Sequence, residues 1–218
     1  MSPKEDAELA FWESRLQKQG VLTNDHFEYF YTTHFGFEKA FYRGKRMVDI
    51  GCGPRGSLEW ATEADIRIGI DPLARVYRQL GTQRHSMRYV ACSGEYLPFC
   101  NAAFDVVSSF NSLDHVDDLN EAIDEISRVL APGGCFLLVT DIHRHPTVLE
   151  PIAYSWDIVE RFLPELEVME QKQVEQTVFG PEGFGDIYQS LRRGTPYNRS
   201  DTRGRNGILS VKFRKCST

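Results

Sequence analysis

Residues 46–56 read Arg-Met-Val-Asp-Ile-Gly-Cys-Gly-Pro-Arg-Gly, and no other stretch of the chain narrows the fold as much. A short run of β-forming residues, 47–50, passes straight into Gly51, Gly53 and Gly56. A strand that enters a glycine-rich turn lets backbone approach a ligand where any Cβ would clash. Pro54 fixes φ and helps to end the strand. A helix beginning after the turn would aim its free N–H groups and positive dipole end at that ligand. The spacing satisfies G-x-G-x-x-G, and Asp71 follows Gly51 by twenty positions at the end of the next apolar run. Two readings compete at this point: a nicotinamide or flavin enzyme, or an enzyme of another nucleoside cofactor on a related sheet.

The surrounding chain extends the pattern. Strands are expected at 47–50, 66–70, 87–91, 104–110 and 135–140, with helical segments from 58, over 73–80 and over 119–130. This alternation predicts an α/β fold with a mostly parallel, doubly wound sheet covered on both faces. After residue 140 the character changes. A helix is expected over 151–162, extended chain over 166–178, a Gly-, Pro- and Arg-rich segment over 180–205, and a last strand over 207–213. Ahead of the sheet, residues 4–19 have helical apolar spacing, and Asn24 or Asp25 caps a second helix running to about residue 35. Phe27, Tyr29, Phe30, Tyr31, Phe35, Phe37, Phe41 and Tyr42 crowd this region. They fit a helical pair packed on the sheet, or a lid whose rings line a substrate pocket.

Composition closes off other classes. With 25 basic and 31 acidic residues the net charge is −6, so whole-chain attraction to nucleic acid is not expected. No apolar run of membrane-spanning length occurs. The charged N-terminus lacks a signal-peptide core, and the five scattered cysteines contain no C-x-x-C pair; both features point to a cytoplasmic protein with reduced thiols.

The motifs that follow the turn separate the two readings. Val48-Asp49-Ile50-Gly51-Cys52-Gly53 is followed in order by Cys92-Ser93-Gly94-Glu95-Tyr96-Leu97-Pro98-Phe99, Phe104-Asp105-Val106-Val107, Leu113-Asp114-His115-Val116 and Arg128-Val129-Leu130-Ala131-Pro132-Gly133-Gly134. Over residues 46–141 the chain resembles class I S-adenosylmethionine-dependent methyltransferases, specifically the small single-domain, type-11-like members. The resemblance implies a Rossmann-like, seven-stranded sheet with its last strand antiparallel. It also implies one structural unit over 46–218, preceded by a helical lid or substrate segment over 1–45. A hydride-transfer enzyme becomes a distant alternative.

The resemblance also implies roles for individual residues. Gly51, Cys52 and Gly53 would form the cofactor turn, and Asp49 would organise it. Asp71 would accept the ribose hydroxyls, and Pro72 and Leu73 would cover adenine. Ser93, Gly94 and Glu95 would meet the adenine edge, with Ser93 standing where the family often has Asp. Asn111 would face the methionine end. The expected reaction is in-line methyl transfer from S-adenosylmethionine to an oxygen or nitrogen of a small organic molecule, leaving S-adenosylhomocysteine. Orientation supplies much of the barrier reduction.

A base is needed only for a protonated acceptor. His115, with Asp114 beside it, is the first candidate, and His34 in the aromatic segment is the second. Packing beneath the cofactor is the alternative role for His115. Asp141, His143 and His145 form D-x-H-x-H, which is read as a polar loop after a strand, so no metal is expected. The arginines at 192, 193, 199, 203 and 205 read as a solvated loop, or as a dock for an anionic partner. The partner expected is a small molecule, with no membrane and no nucleic acid, and a homo-oligomer is compatible. The alternatives are a methyltransferase acting on RNA or protein, and a non-catalytic cofactor-binding module.

Overall fold

The computed structural model describes residues 2–143, 145–147, 150–153, 155–180, 185–200 and 206–217. Seven strands form one sheet: β1 (Arg46–Ile50), β2 (Ile66–Ile70), β3 (Arg88–Val90), β4 (Phe104–Phe110), β5 (Leu130–Ile142), β6 (Leu166–Glu175) and β7 (Gly207–Lys215). Their order is β3-β2-β1-β4-β5-β7-β6. Pairs β1–β2, β1–β4, β2–β3 and β4–β5 are parallel, whereas β7 runs antiparallel to both β5 and β6. The sheet therefore has the predicted architecture, with only the last strand reversed. Because the order turns back between β1 and β4, the loops leaving these two strands flank a crevice at the carboxyl edge.

Strand alternation sorts the core into two layers. Val48, Ile50, Val107, Phe136, Leu138, Leu209 and Val211 point to one face. There they meet α3 (Leu119–Val129), which buries Leu119, Ala122, Ile123, Ile126 and Val129. Each large apolar side chain so buried stabilises by about 1.5–3 kcal/mol. Asp118 caps this helix by accepting from the N–H groups of Asn120 and Glu121. From α3, Arg128 donates to the carbonyls of Leu97 and Phe99, while Glu125 accepts from Leu97 N–H. The Leu-Pro-Phe and Arg-Val-Leu motifs are thus two halves of one hydrogen-bonded clamp.

Met47, Val106, Phe110, Leu137, Val139 and Ile208 point to the other face, which the aromatic segment covers. Here lie α2 (Phe27–Tyr31), two 3₁₀ turns (Thr33–Phe35 and Lys39–Tyr42) and α4 (Ile187–Arg193). Phe30, Tyr31, Phe35 and Tyr42 are buried in this layer. Ring contacts such as Tyr31–Phe110 at 4.5 Å knit it to the sheet. The aromatic-rich region is a wall of the core, and the helix that lies over the glycine turn is α1 (Pro3–Gln19).

Three expected helices take tighter forms. Residues 57–60 are turns, because Ser57 is bonded to Asp49, Leu58 N–H meets Met87 Sδ, and Arg67 occupies the carbonyls of Leu58 and Glu59. With these groups engaged, no helix begins directly after the glycine turn. The segments over 73–80 and 151–162 narrow to 3₁₀ helices at Val76–Leu80 and Trp156–Phe162. No helix among the described residues is long and apolar enough to cross a membrane.

Candidate active site

The glycine turn is held from both sides. Gly51 and Cys52 donate their N–H groups to Ile70 O, which fastens the turn to β2. Gly51 and Gly53 have φ of 69° and 55°, in the left-handed region where a Cβ is penalised. A Cβ on Gly51 would lie 2.2 Å from Ser112 Cβ. Ser112, which no motif singled out, donates to Ile50 O at 2.6 Å and joins the loop after β4 to the turn. Cys52 is buried, and its sulfur occupies the space beside Gly69.

Asp49 and Asp71 frame this turn differently. Asp49 points into the aromatic layer, where it accepts from Ser108 Oγ at 2.6 Å and from Ser57 Oγ; Tyr31 OH in turn meets Ser108. Burial raises its carboxyl to about 6. It orders the loop from beneath. Asp71 lies at the end of β2 and accepts from Gly53 N–H at 3.1 Å and Leu73 N–H at 2.9 Å. Burial above all, with Glu8 adding to it, raises Asp71 to about 6.

Glu8 belongs to α1, which spans the mouth of the crevice. Its Leu9, Trp12 and Leu16 pack on Leu73, Tyr77 and Leu80, and the Trp12 ring sits 3.0 Å from where a Cβ of Gly53 would stand. Lys4 reaches the far side and donates to His115 O and Asp117.

The remaining expected cofactor residues lie on the loops around the turn. Pro72 is exposed, while Leu73 beside it is buried under α1. Gly94 is buried, with Ile50 and Val116 close to its open side. Ser93 is half-buried, and its carbonyl accepts from Tyr96 N–H. Glu95 accepts from the N–H groups of Asp117 and Asp118, so its carboxylate braces the entry to α3. Asn111 adopts φ of 53° directly after β4, and its side-chain Oδ1 is buried with no hydrogen-bond partner among the described residues.

A second group of polar residues gathers where β4 and β5 end. Asp114 is 0% exposed, and neither carboxylate oxygen has a hydrogen-bond donor among the described residues. His115 Nε2 is 3.7 Å from Asp114 Oδ1, and His143 Nε2 is 3.8 Å from Asp114 Oδ2. Glu150 Oε2 stands 4.0 Å from His143 Nε2, and Asp141 has an unpartnered buried oxygen. Burial, with the charges of Asp114 and Glu150, raises Asp141 to about 7. The Asp114 carboxylate is the main cause that raises His143 to about 9. Within the D-x-H-x-H segment, His143 is turned inward onto Asp114, while His145 is exposed.

His34 is held apart from this group. It lies in the aromatic layer with Nε2 2.7 Å from Ser210 Oγ, and burial lowers it to about 4. A neutral, hydrogen-bonded core histidine accounts for these features. The described arginines of the basic segment also have internal partners: Arg192 stacks over Tyr29 at 4.6 Å, and Arg199 bonds Gln173. Arg203 and Arg205 lie outside the described residues.

Comparison with known proteins agrees with this geometry. Residues 48–138 match the family model described as a methyltransferase domain. Over these residues the chain is similar to a methyltransferase domain. It is 33% identical over 111 residues to the O-methyltransferase rstn1 of Aspergillus nomiae, a match covering 47% of this chain and 49% of that protein. It is 29% identical over 172 residues to a malonyl-[acyl-carrier protein] O-methyltransferase of Erwinia billingiae, covering 72% of this chain and 67% of that one. Across the first of its curated relatives, the chain spans about half of their length or less. Among solved structures it superposes on the geranyl diphosphate C-methyltransferase of Streptomyces coelicolor, determined with Mg2+, geranyl diphosphate and S-adenosyl-L-homocysteine. That likeness has a TM-score of 0.58 at 20% identity, covering 87% of this chain and 77% of the other.

Proposed function

We propose that the protein transfers the methyl group of S-adenosylmethionine to an oxygen or nitrogen of a small organic molecule. The observation that carries this reading is the division of the crevice. A filled glycine turn with a buried carboxylate stands at the ends of β1 and β2, and an unsatisfied His–carboxylate group stands at the ends of β4 and β5.

The residues at the first end fit the cofactor. Positive-φ glycines remove side chains from the turn, and each Asp71 oxygen has one donor, leaving acceptor capacity for ribose hydroxyls. The bound cofactor supplies an electrophilic methyl on a sulfonium. This chain orients that group, keeps water out with α1, and presents the acceptor in line. For an O–H or N–H acceptor, the His115 imidazole takes the proton, with Asp114 3.7 Å from its Nε2 and Glu8 3.8 Å from its Nδ1. His34, already bonded to Ser210 in the core, plays no part in proton transfer in this scheme.

The relatives named O-methyltransferases support an oxygen acceptor. The test is to incubate the protein with methyl-labelled cofactor and a panel of small hydroxy, carboxy and amino compounds. Calorimetry with S-adenosylhomocysteine and with NAD runs alongside. Labelled product and selective S-adenosylhomocysteine binding are expected, whereas NAD binding alone would overturn the reading. His115→Ala should lower turnover at least about 100-fold, in line with loss of a general base, with little change in cofactor affinity.

A further inference from the structure

We propose that Asp114, His115, His143 and Glu150 form a binding site for a divalent first-row transition-metal ion. Asp114, His115 and Glu150 each offer a ligand atom, and these atoms lie within 4.8 Å of one another. His143 stands beside this group, its Nε2 lying 3.8 Å from Asp114 Oδ2 and 4.0 Å from Glu150 Oε2. Donors bound at about 2.1 Å in a tetrahedron sit roughly 3.4 Å apart, so side-chain movements of up to about 1.4 Å would close the group around an ion.

Two further observations point to a ligand here. The first is Asp114 itself. A carboxylate with 0% exposure and no hydrogen-bond donor on either oxygen has lost its water without replacing it. A buried charge is tolerated when it is paired or coordinates a metal. Both of its oxygens face imidazole nitrogens at 3.7 and 3.8 Å, too long for hydrogen bonds. The second is the set of His143. Its Nδ1 is 2.9 Å from the carbonyl oxygen of His145. Only an Nδ1–H can donate to a carbonyl, so when the ring gives up its other proton to an incoming ion the lone pair is on Nε2. That nitrogen is buried, has no hydrogen-bond partner among the described residues, and faces the carboxylates. Metal-ligating histidines are oriented by the same kind of outer bond.

The donor chemistry selects the ion. Mg2+ and Ca2+ prefer all-oxygen surroundings, whereas two imidazoles with two carboxylates suit Zn2+, Co2+ or Fe2+. The site stands on geometry alone, but its use in the reaction rests on the methyl-transfer reading. A cation there would take an oxygen of the acceptor as a further ligand and lower the pKa of its hydroxyl. His115 then serves as a ligand, and the metal takes over the activation assigned to its ring in the metal-free protein.

The test is titration of chelator-treated protein with Co2+, followed by visible absorption, with Zn2+ competition and calorimetry with S-adenosylhomocysteine on the same samples. A single Co2+ per chain with intense d–d bands, displaced by Zn2+, is expected. Asp114→Asn and His143→Gln should each weaken Co2+ more than about 100-fold, beyond the roughly 10- to 100-fold cost of losing an outer-shell partner. Retained S-adenosylhomocysteine binding in both variants certifies their fold. If the wild-type protein takes up no Co2+, or both variants bind it as tightly as wild type, the site is refuted, and the His143 imidazolium is the counterion of Asp114. S-adenosylhomocysteine binding without Co2+ uptake overturns this site alone, whereas Co2+ uptake without S-adenosylhomocysteine binding overturns the methyl-transfer reading instead.

Discussion

The two ends of the crevice treat buried carboxylates in opposite ways. Around the glycine turn, both oxygens of Asp49 and both oxygens of Asp71 accept a hydrogen bond. At the ends of β4 and β5, Asp114 has no donor among the described residues, and one oxygen of Asp141 is likewise unpartnered. The first region satisfies its charges within the fold before any ligand arrives. The second keeps its charges unsatisfied, which costs stability and is retained where something else is to be bound. A prebuilt floor beside an unfinished wall suits a reaction with one constant and one variable partner.

The contrast can be tested, beginning with the largest expected effect. Gly51→Ala places a Cβ 2.2 Å from Ser112 Cβ at a φ of 69°. Urea unfolding should show a loss of about 2–5 kcal/mol, the sum of the left-handed penalty and overpacking. Gly44 has the same φ of 69° but nothing within 4 Å of its added Cβ, so Gly44→Ala should cost only about 1–2 kcal/mol. Equal losses would show that the turn is not tightly filled.

Asp49→Ala should come next, with a loss of about 2–4 kcal/mol, because two buried serine hydroxyls lose their acceptor. Asp114→Asn removes no hydrogen bond seen here, only the carboxylate that raises His143, so in metal-free protein its cost should fall to about 1 kcal/mol or less as pH rises through about 9. A loss matching that of Asp49→Ala would mean that the two ends are alike.

Titration adds a third comparison. His34 is lowered from 6.5 to about 4, so its native state binds fewer protons than the unfolded chain. Its stabilisation is full above about pH 6.5 and is lost as pH falls toward 4, by up to roughly 3 kcal/mol. Asp49 and Asp71, raised to about 6, work in the opposite sense, their contribution falling as pH rises from about 4 through 6. The wild-type-minus-His34→Gln stability difference should therefore shrink on acidification. A difference independent of pH would remove His34 from the core assignment. In calorimetry, Asp71→Ala should weaken S-adenosylhomocysteine by about 1.5–3 kcal/mol. Unchanged affinity would place the ribose elsewhere.

Much of the first region was legible in the sequence because its parts are local. A strand, a positive-φ turn and an acid at the next strand end occupy short, ordered intervals, and even the Leu97–Arg128 clamp left its mark as two motifs. The second region is built from distance. His143 meets Asp114 across 29 positions of chain, and no spacing rule encodes that encounter. Asp141, His143 and His145 instead suggested a polar loop, because alternation after a strand says which way side chains start, not where the loop folds back. The missing helix after the turn has a similar cause. Ser57 and Leu58 spend their hydrogen bonds on Asp49 and Met87, partners that local propensity does not see. The aromatic segment was ambiguous because a ring buried against a sheet and one lining a pocket require the same residue type.

The placement of Trp12 against Gly53 has a kinetic meaning. A cofactor that reaches the backbone of the turn must share that space with the indole ring. Where α1 has to lift first, the apparent affinity is the intrinsic one scaled down by the fraction of molecules with the helix raised. Trp12→Ala should then speed both uptake and release of S-adenosylhomocysteine, and unchanged rates would show that α1 is no barrier.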